Sequence, residues 1–292
     1  MVVSNMAVNK LAPVNASANA GAPAAAAVPK IRIDRARKTF VQKNGGAVEA
    51  IRELTFDVAA NDYVAIVGPT GAGKSVLFDC LLGLKTLDSG KIEIDGQPIA
   101  NYIGARSGRI TRIFQEDRLL PWLSATDNVA LGLQIRGVPE KERRDIARQW
   151  LADVGLHEFV DALPSELSGG MRQRTNIARA FATSPEIILL DEAFSALDEI
   201  TAMRLRGDFL ALAHHQKMTF VMVTHSIDEA IFLGNRILVF GAPARVVHEI
   251  AVPPGAAEDR AVADGIRDEI RTWISASGRD ASRTANSELE NE

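Results

Sequence analysis

Cysteine occurs once in this chain, as Cys80, so an internal disulfide and a cysteine-rich metal site are both excluded. A reducing compartment is the natural setting, and Cys80 reads as a small core residue. Long apolar runs are missing too. None approaches the roughly 20 residues that a bilayer crossing needs, so any work at a membrane is done from its side. A positive field is also absent: 33 Lys and Arg stand against 37 Asp and Glu, a formal net charge of -4. Nucleic acid is therefore offered no long-range attraction. Charge is almost missing from residues 1–30, where Lys10 is the only charge before Lys30 and Ala, Asn and Pro dominate. The basic start and Leu-rich core of a secretory signal are lacking there. The stretch reads as a disordered extension.

What is present describes a globular α/β protein. Hydrophobic residues make up 47% of the 292 and charged residues 24%, enough for one large domain or two smaller ones. Ile31 and Ile33 alternate with charged residues, and Leu54-Thr55-Phe56-Asp57-Val58 repeats that alternation, as in half-solvated antiparallel strands. Lys91-Ile92-Glu93-Ile94 runs into Asp95-Gly96, a hairpin signal because both residues tolerate positive φ. Residues 63–67, 186–190, 219–223 and 236–240 are short, mostly apolar runs suited to parallel strands covered on both faces. Helical pattern falls between them, for example over 139–153 and 198–214. The alternation predicts a doubly wound sheet with a smaller antiparallel layer near the N-terminus. Residues 116–180 read as an inserted helical lobe, 256–275 as an amphipathic helix, and the last 17 or so as a polar tail.

Gly68-Pro69-Thr70-Gly71-Ala72-Gly73-Lys74-Ser75 fits the phosphate-loop pattern, with an apolar strand before it and an apolar helix after it. Its glycines let successive amides turn inward onto phosphate oxygens, and the helix beginning near Lys74 aims its positive end at the same place. Lys74 is expected to reach the β and γ phosphates and the Ser75 hydroxyl to bind Mg²⁺. Further along, the buried run Ile187-Ile188-Leu189-Leu190 ends in Asp191-Glu192. A dry strand ends in two acids where a cation or a reacting water sits. Alternation turns the two side chains apart, Asp191 towards the metal and Glu192 towards the water.

Leu167-Ser168-Gly169-Gly170-Met171-Arg172-Gln173-Arg174 begins a helix with a Ser cap followed by side-chain-free amides, a second anion site. This octet resembles the signature of ATP-binding cassette proteins, and the resemblance runs over about residues 31–250. It implies a RecA-like phosphate-loop core with a small antiparallel β layer and an inserted helical lobe. It also implies ATP and Mg²⁺ as cofactors and a head-to-tail dimer that sandwiches two ATP. In that arrangement Ser168, Gly169 and Gly170 close over the nucleotide of the other copy. By the same resemblance Phe40 stacks on adenine, and Gly68 through Val76 hold the phosphates. Ser75, Gln115 and Asp191 hold the metal, and Lys74, Glu192 and His225 carry the hydrolysis. Ser195-Ala196-Leu197-Asp198 is similar to the loop that communicates across the dimer. His157, His214, His215 and His248 lack such company and read as structural. Val76 in place of the usual threonine, and Asn176 in the signature helix, depart from the family pattern.

Phe114 to Val129, with Leu119-Leu120-Pro121-Trp122 after the glutamine loop, resembles the nitrate, sulfonate and taurine importer ATPases, as Gly241–Val247 does more loosely. The resemblance implies an importer subunit peripheral to the cytoplasmic face of the plasma membrane. It would dock on an integral-membrane permease through residues 117–123 and serve a solute-binding protein indirectly. The alternative is a non-transport cassette that remodels a soluble partner. In the Leu-Trp segment, Pro121 is expected to hold the chain extended and to leave Trp122 in a partly exposed groove.

Overall fold

The computed structural model describes residues 28–42, 45–105 and 109–289; most of the N-terminal extension lies outside them. In chain order the elements are β1 (Ile31–Val41), β2 (Ala47–Val58), β3 (Tyr63–Val67), α1 (Lys74–Leu81), β4 (Ser89–Ile94), β5 (Gln97–Pro98) and α2 (Ile99–Ala105). Then come β6 (Ile110–Ile113), α3 (Ala125–Ile135), α4 (Glu140–Asp153), α5 (Gly169–Ala182), β7 (Ile187–Asp191) and α6 (Glu199–His215). The chain continues with β8 (Thr219–Val223), α7 (Ile227–Leu233), β9 (Arg236–Gly241), β10 (Arg245–Ala251) and α8 (Arg260–Leu289).

The strands form a six-stranded sheet in the order β10-β9-β3-β8-β7-β6 and a four-stranded sheet in the order β2-β1-β4-β5. Five strands of the larger sheet run parallel, and β10 closes its edge antiparallel to β9. The parallel strands read as continuous apolar runs because both faces are covered. Along β3, Tyr63, Ala65 and Val67 join one core, while Val64 and Ile66 join the other. The first core lies under α5 to α8 and the second under α1 and the antiparallel sheet. Asp95 and Gly96 take φ of 52° and 72° in the turn joining β4 to β5, the left-handed pair a tight hairpin demands.

Helices α3, α4 and α5 build a third core around Val129, Ala147, Leu151 and Ala178. A column of rings ties it to the sheet. Trp150 packs on Phe181 at 5.4 Å, Phe181 on Phe209 at 5.7 Å, Phe209 on Phe220 at 5.4 Å, and Phe220 stacks on Tyr63 at 4.5 Å. One strand goes unmarked in the sequence and one reading from it needs correction. Strand β6 has too short a signal to stand out. And α8 continues to Leu289 through the stretch expected as a polar tail, since no proline interrupts it and Ala and Arg sustain helix.

Candidate nucleotide and hydrolysis site

The cradle leaves the carboxyl end of β3, the place where open α/β sheets bind ligands. Gly71 and Gly73 sit at φ of 78° and 80°, which a Cβ would strain. A Cβ on Gly73 would collide with the Ala50 carbonyl oxygen, and one on Gly68 would come within 2.6 Å of the Phe240 carbonyl oxygen. Strands β2 and β9 thus press on the loop from below, while Gly71 has nothing within 4 Å and marks its open side. Lys74 is buried, and its Nζ donates to the carbonyl oxygens of Gly68 at 2.7 Å and Pro69 at 2.8 Å. Burial pushes this ammonium below its ordinary pKa, against the pull of Glu192 and Asp191. A desolvated cation with only neutral partners, inside a ring of glycine amides, fits a polyphosphate. Ser75 is exposed, and Val76 is half-buried against the second core, so the departure at Val76 is a packing choice.

Two strands away, β7 delivers Asp191 and Glu192. Glu192 takes φ of 50° and its amide donates to the Val223 carbonyl at 2.9 Å. That kink turns its carboxylate towards His225, whose Nδ1 lies 3.4 Å from Oε2. The His225 turn is fixed from behind. Thr224 Oγ1 bonds the buried Glu229 carboxylate and accepts from the Ser226 amide at 3.0 Å, while Ser226 caps α7. Burial raises the Glu229 pKa in spite of the bond from Thr224. Asp191 is ion-paired with Arg112 of β6, which also donates to Asp79 of α1 at 2.8 Å. The sequence offered no signal for this arginine.

Phe40 lies on β1 opposite Val48 in β2, two residues from the Ala50 backbone that supports Gly73. Gln115 is exposed beyond β6 and lines a cavity of about 390 Å³ with Gly169, Gln173 and Ala196. That cavity brings the glutamine loop, the signature helix and the Ser195–Asp198 loop together. Ser168 caps α5 by accepting from the Met171 amide at 3.3 Å, and Ser168 and Gly169 are exposed. Among the described residues, no hydrogen bond or ion pair joins 168–170 to the cradle. One chain does not assemble the two halves of the expected site.

The signature helix also holds the loop after Gln115. Arg172 donates to Asp117 at 2.9 Å, and Arg179 donates to the carbonyls of Asp117 and Arg118 at 2.7 and 2.9 Å. Asn176 is buried and accepts from Arg179 at 2.8 Å, which accounts for that departure. Buried Asn128 accepts from the Leu120 amide at 2.7 Å and donates to the carbonyls of Leu120, Leu123 and Ser124. The turn it closes leaves Leu119 buried and Trp122 71% exposed. Of the other histidines, His214 packs edge-on against Tyr63 and His248 pairs with Glu269 and stacks on Trp273, while His157 and His215 are exposed.

This geometry has known counterparts. The family profile described as ABC transporter matches residues 51–195. The taurine import ATP-binding protein of Rhizobium johnstonii is 42% identical over 218 residues, 74% of this chain and 82% of that protein. The aliphatic sulfonates import ATP-binding protein of Bacillus cereus is 38% identical over 220 residues, 75% of this chain and 84% of its own length. A solved dimeric structure of the ATP-binding cassette MJ0796, in a post-hydrolysis state bound to ADP and Pi, superposes with a TM-score of 0.68. It is 30% identical, over 76% of this chain and 99% of that one. The cradle at the end of β3, the kinked Glu192 facing His225 and these likenesses converge: the chain belongs to the ATP-binding cassette family of ABC transporter ATPases.

Proposed function

We propose that the chain is the ATP-hydrolysing subunit of an importer for a small sulfonate or related anion such as taurine or nitrate. The observation that carries the hydrolytic part is the Glu192–His225 pair, 3.4 Å apart, at the end of the sheet that presents the cradle. Lys74 and the loop from Gly68 to Val76, through its N–H groups other than at Pro69, bind the nucleotide phosphates, with Phe40 against adenine. Ser75, Gln115 and Asp191 hold Mg²⁺, which supplies charge neutralisation on the phosphates when bound. Glu192 orients the attacking water and accepts its proton, and His225 steadies the negative charge that develops opposite. Ser168, Gly169 and Gly170 serve the nucleotide of a second copy. The exposure of Ser168 and Gly169 and, among the described residues, the lack of hydrogen bonds or ion pairs from 168–170 to the cradle of their own chain support this.

The importer part rests on the two import subunits and on Trp122. An exposed indole beside a proline turn, on a loop fixed by Asn128, Arg172 and Arg179, is a rigid anchor for a partner helix. An integral-membrane permease at the cytoplasmic face of the plasma membrane fits it, with a solute-binding protein acting through that permease. Among the described residues no helix is long and apolar enough to cross a membrane. Glu192→Gln tests the site: it should bind ATP normally, lose about 10²-fold or more of turnover, and collect as an ATP-bound dimer in size-exclusion chromatography. Near-normal turnover would remove Glu192 from its role. Trp122→Ala tests the partner and should weaken permease pull-down while the free subunit keeps its ATPase activity and melting temperature.

A further inference from the structure

Arg112, beside Asp191, is nearly enclosed, with a side chain 9% accessible. Its guanidinium is not forked onto one carboxylate, the arrangement that satisfies an arginine best. One terminal nitrogen goes to Asp79 on α1 and the other to Asp191 on β7. Its Nε is buried and has no hydrogen-bond partner among the described residues. The plane lies over the ring of Phe114 at 4.6 Å and faces Phe78 at 5.7 Å. The cation is thus held on two separate elements, and letting go of one acid leaves it anchored on the other.

We propose that Arg112 is the resting counter-ion of Asp191, a positioning residue that yields this carboxylate to the metal ion arriving with the nucleotide while staying anchored on Asp79. The inference rests on Asp191 being a metal-holding residue. A divalent cation and a guanidinium compete for the same oxygens, and a bare Asp191 beside Glu192 would otherwise draw cations into the empty site. Arg112 thereby keeps the nucleotide-free protein from binding metal alone and ties metal entry to nucleotide entry. Asp79 matters because one of its oxygens keeps hold of the guanidinium, while the other accepts from Lys85 at 2.9 Å.

The experiment is Mn²⁺ binding to the whole nucleotide-free protein by electron paramagnetic resonance, beside fluorescent-ATP affinity with Mg²⁺ and with EDTA. Arg112→Gln should tighten Mn²⁺ binding at least about tenfold, the effect of removing a unit charge several ångströms away at a protein site's effective dielectric. Asp79→Asn deprives the guanidinium of its second acid and should cut the gain in nucleotide affinity conferred by Mg²⁺, by about threefold or more. If Arg112→Gln does not fold, Asp79→Asn alone decides. Metal dependence unchanged from the parent in every folded variant overturns the proposal. Asp191→Asn separates the two claims: it should abolish the Mg²⁺ effect, and if it does not, the reading of Asp191 as a metal ligand falls first.

Discussion

Asn128 places one buried amide across three carbonyls and one N–H of the 120–124 turn. A backbone carbonyl buried without a partner costs about 1–3 kcal/mol. Asn128→Ala should therefore lower the melting temperature by on the order of 5 °C and release the Trp122 loop, seen as faster proteolysis there. An unchanged melting curve would show that solvent satisfies the turn without it. Nothing in Thr126-Asp127-Asn128-Val129 announces this role, because an asparagine in a helical pattern reads as neutral. The proposed cradle and the Asp191-Glu192 pair could be picked out because phosphate and metal chemistry restrict residue types at fixed spacing. The proposed counter-ion role of Arg112 was not, since an arginine in a short strand has no characteristic neighbours and its acids lie 33 and 79 residues away.

Among elements, the foot of β7 is fixed by charge. Glu186 accepts from Lys30 at 2.6 Å and Tyr102 at 2.7 Å and pairs with Arg109, linking β7 to β1, α2 and β6. Burial pushes its carboxyl up, and the bonds from Lys30, Tyr102 and Arg109 outweigh this and bring it to about 2 from 4.5. A depressed carboxyl contributes stability that is complete above the unfolded value and drains as pH falls towards the folded one. The window therefore lies between about pH 4.5 and about pH 2. Glu186→Gln should melt lower than the parent at neutral pH and lose less on acidification into that window. Parallel melting curves against pH would contradict it. The strands β3, β7, β8 and β9 were readable as apolar runs. The helix α8 was misjudged in length because polar composition alone does not distinguish a solvated helix from a tail.

At the scale of the molecule, the exposed start of α6 continues the face that carries the signature. Ile200 and Met203 are 78% and 55% exposed, and a Cβ on Gly170 would come within 3.0 Å of Thr201. Apolar side chains this exposed, next to the Ser195–Asp198 loop, fit burial against a second copy. Ile200→Asp with Met203→Asp, in the Glu192→Gln background, should abolish the ATP-bound dimer in light scattering. The monomer should melt within about 2 °C of its parent, since exposed substitutions cost little. A dimer that persists would put the interface elsewhere. The proposed head-to-tail pairing follows from the resemblance alone, since among the described residues no hydrogen bond or ion pair joins residues 168–170 to the cradle of the same chain. The column of rings from Trp150 to Tyr63 bears on how such a molecule works. One pair in the column is stacked and the others meet tilted or edge-on, and rings packed this closely resist compression, so the column acts as a strut between the helical lobe and the sheet. Its far end is the first residue of the strand that ends in the cradle, so the column seats the helical lobe on the base of that strand.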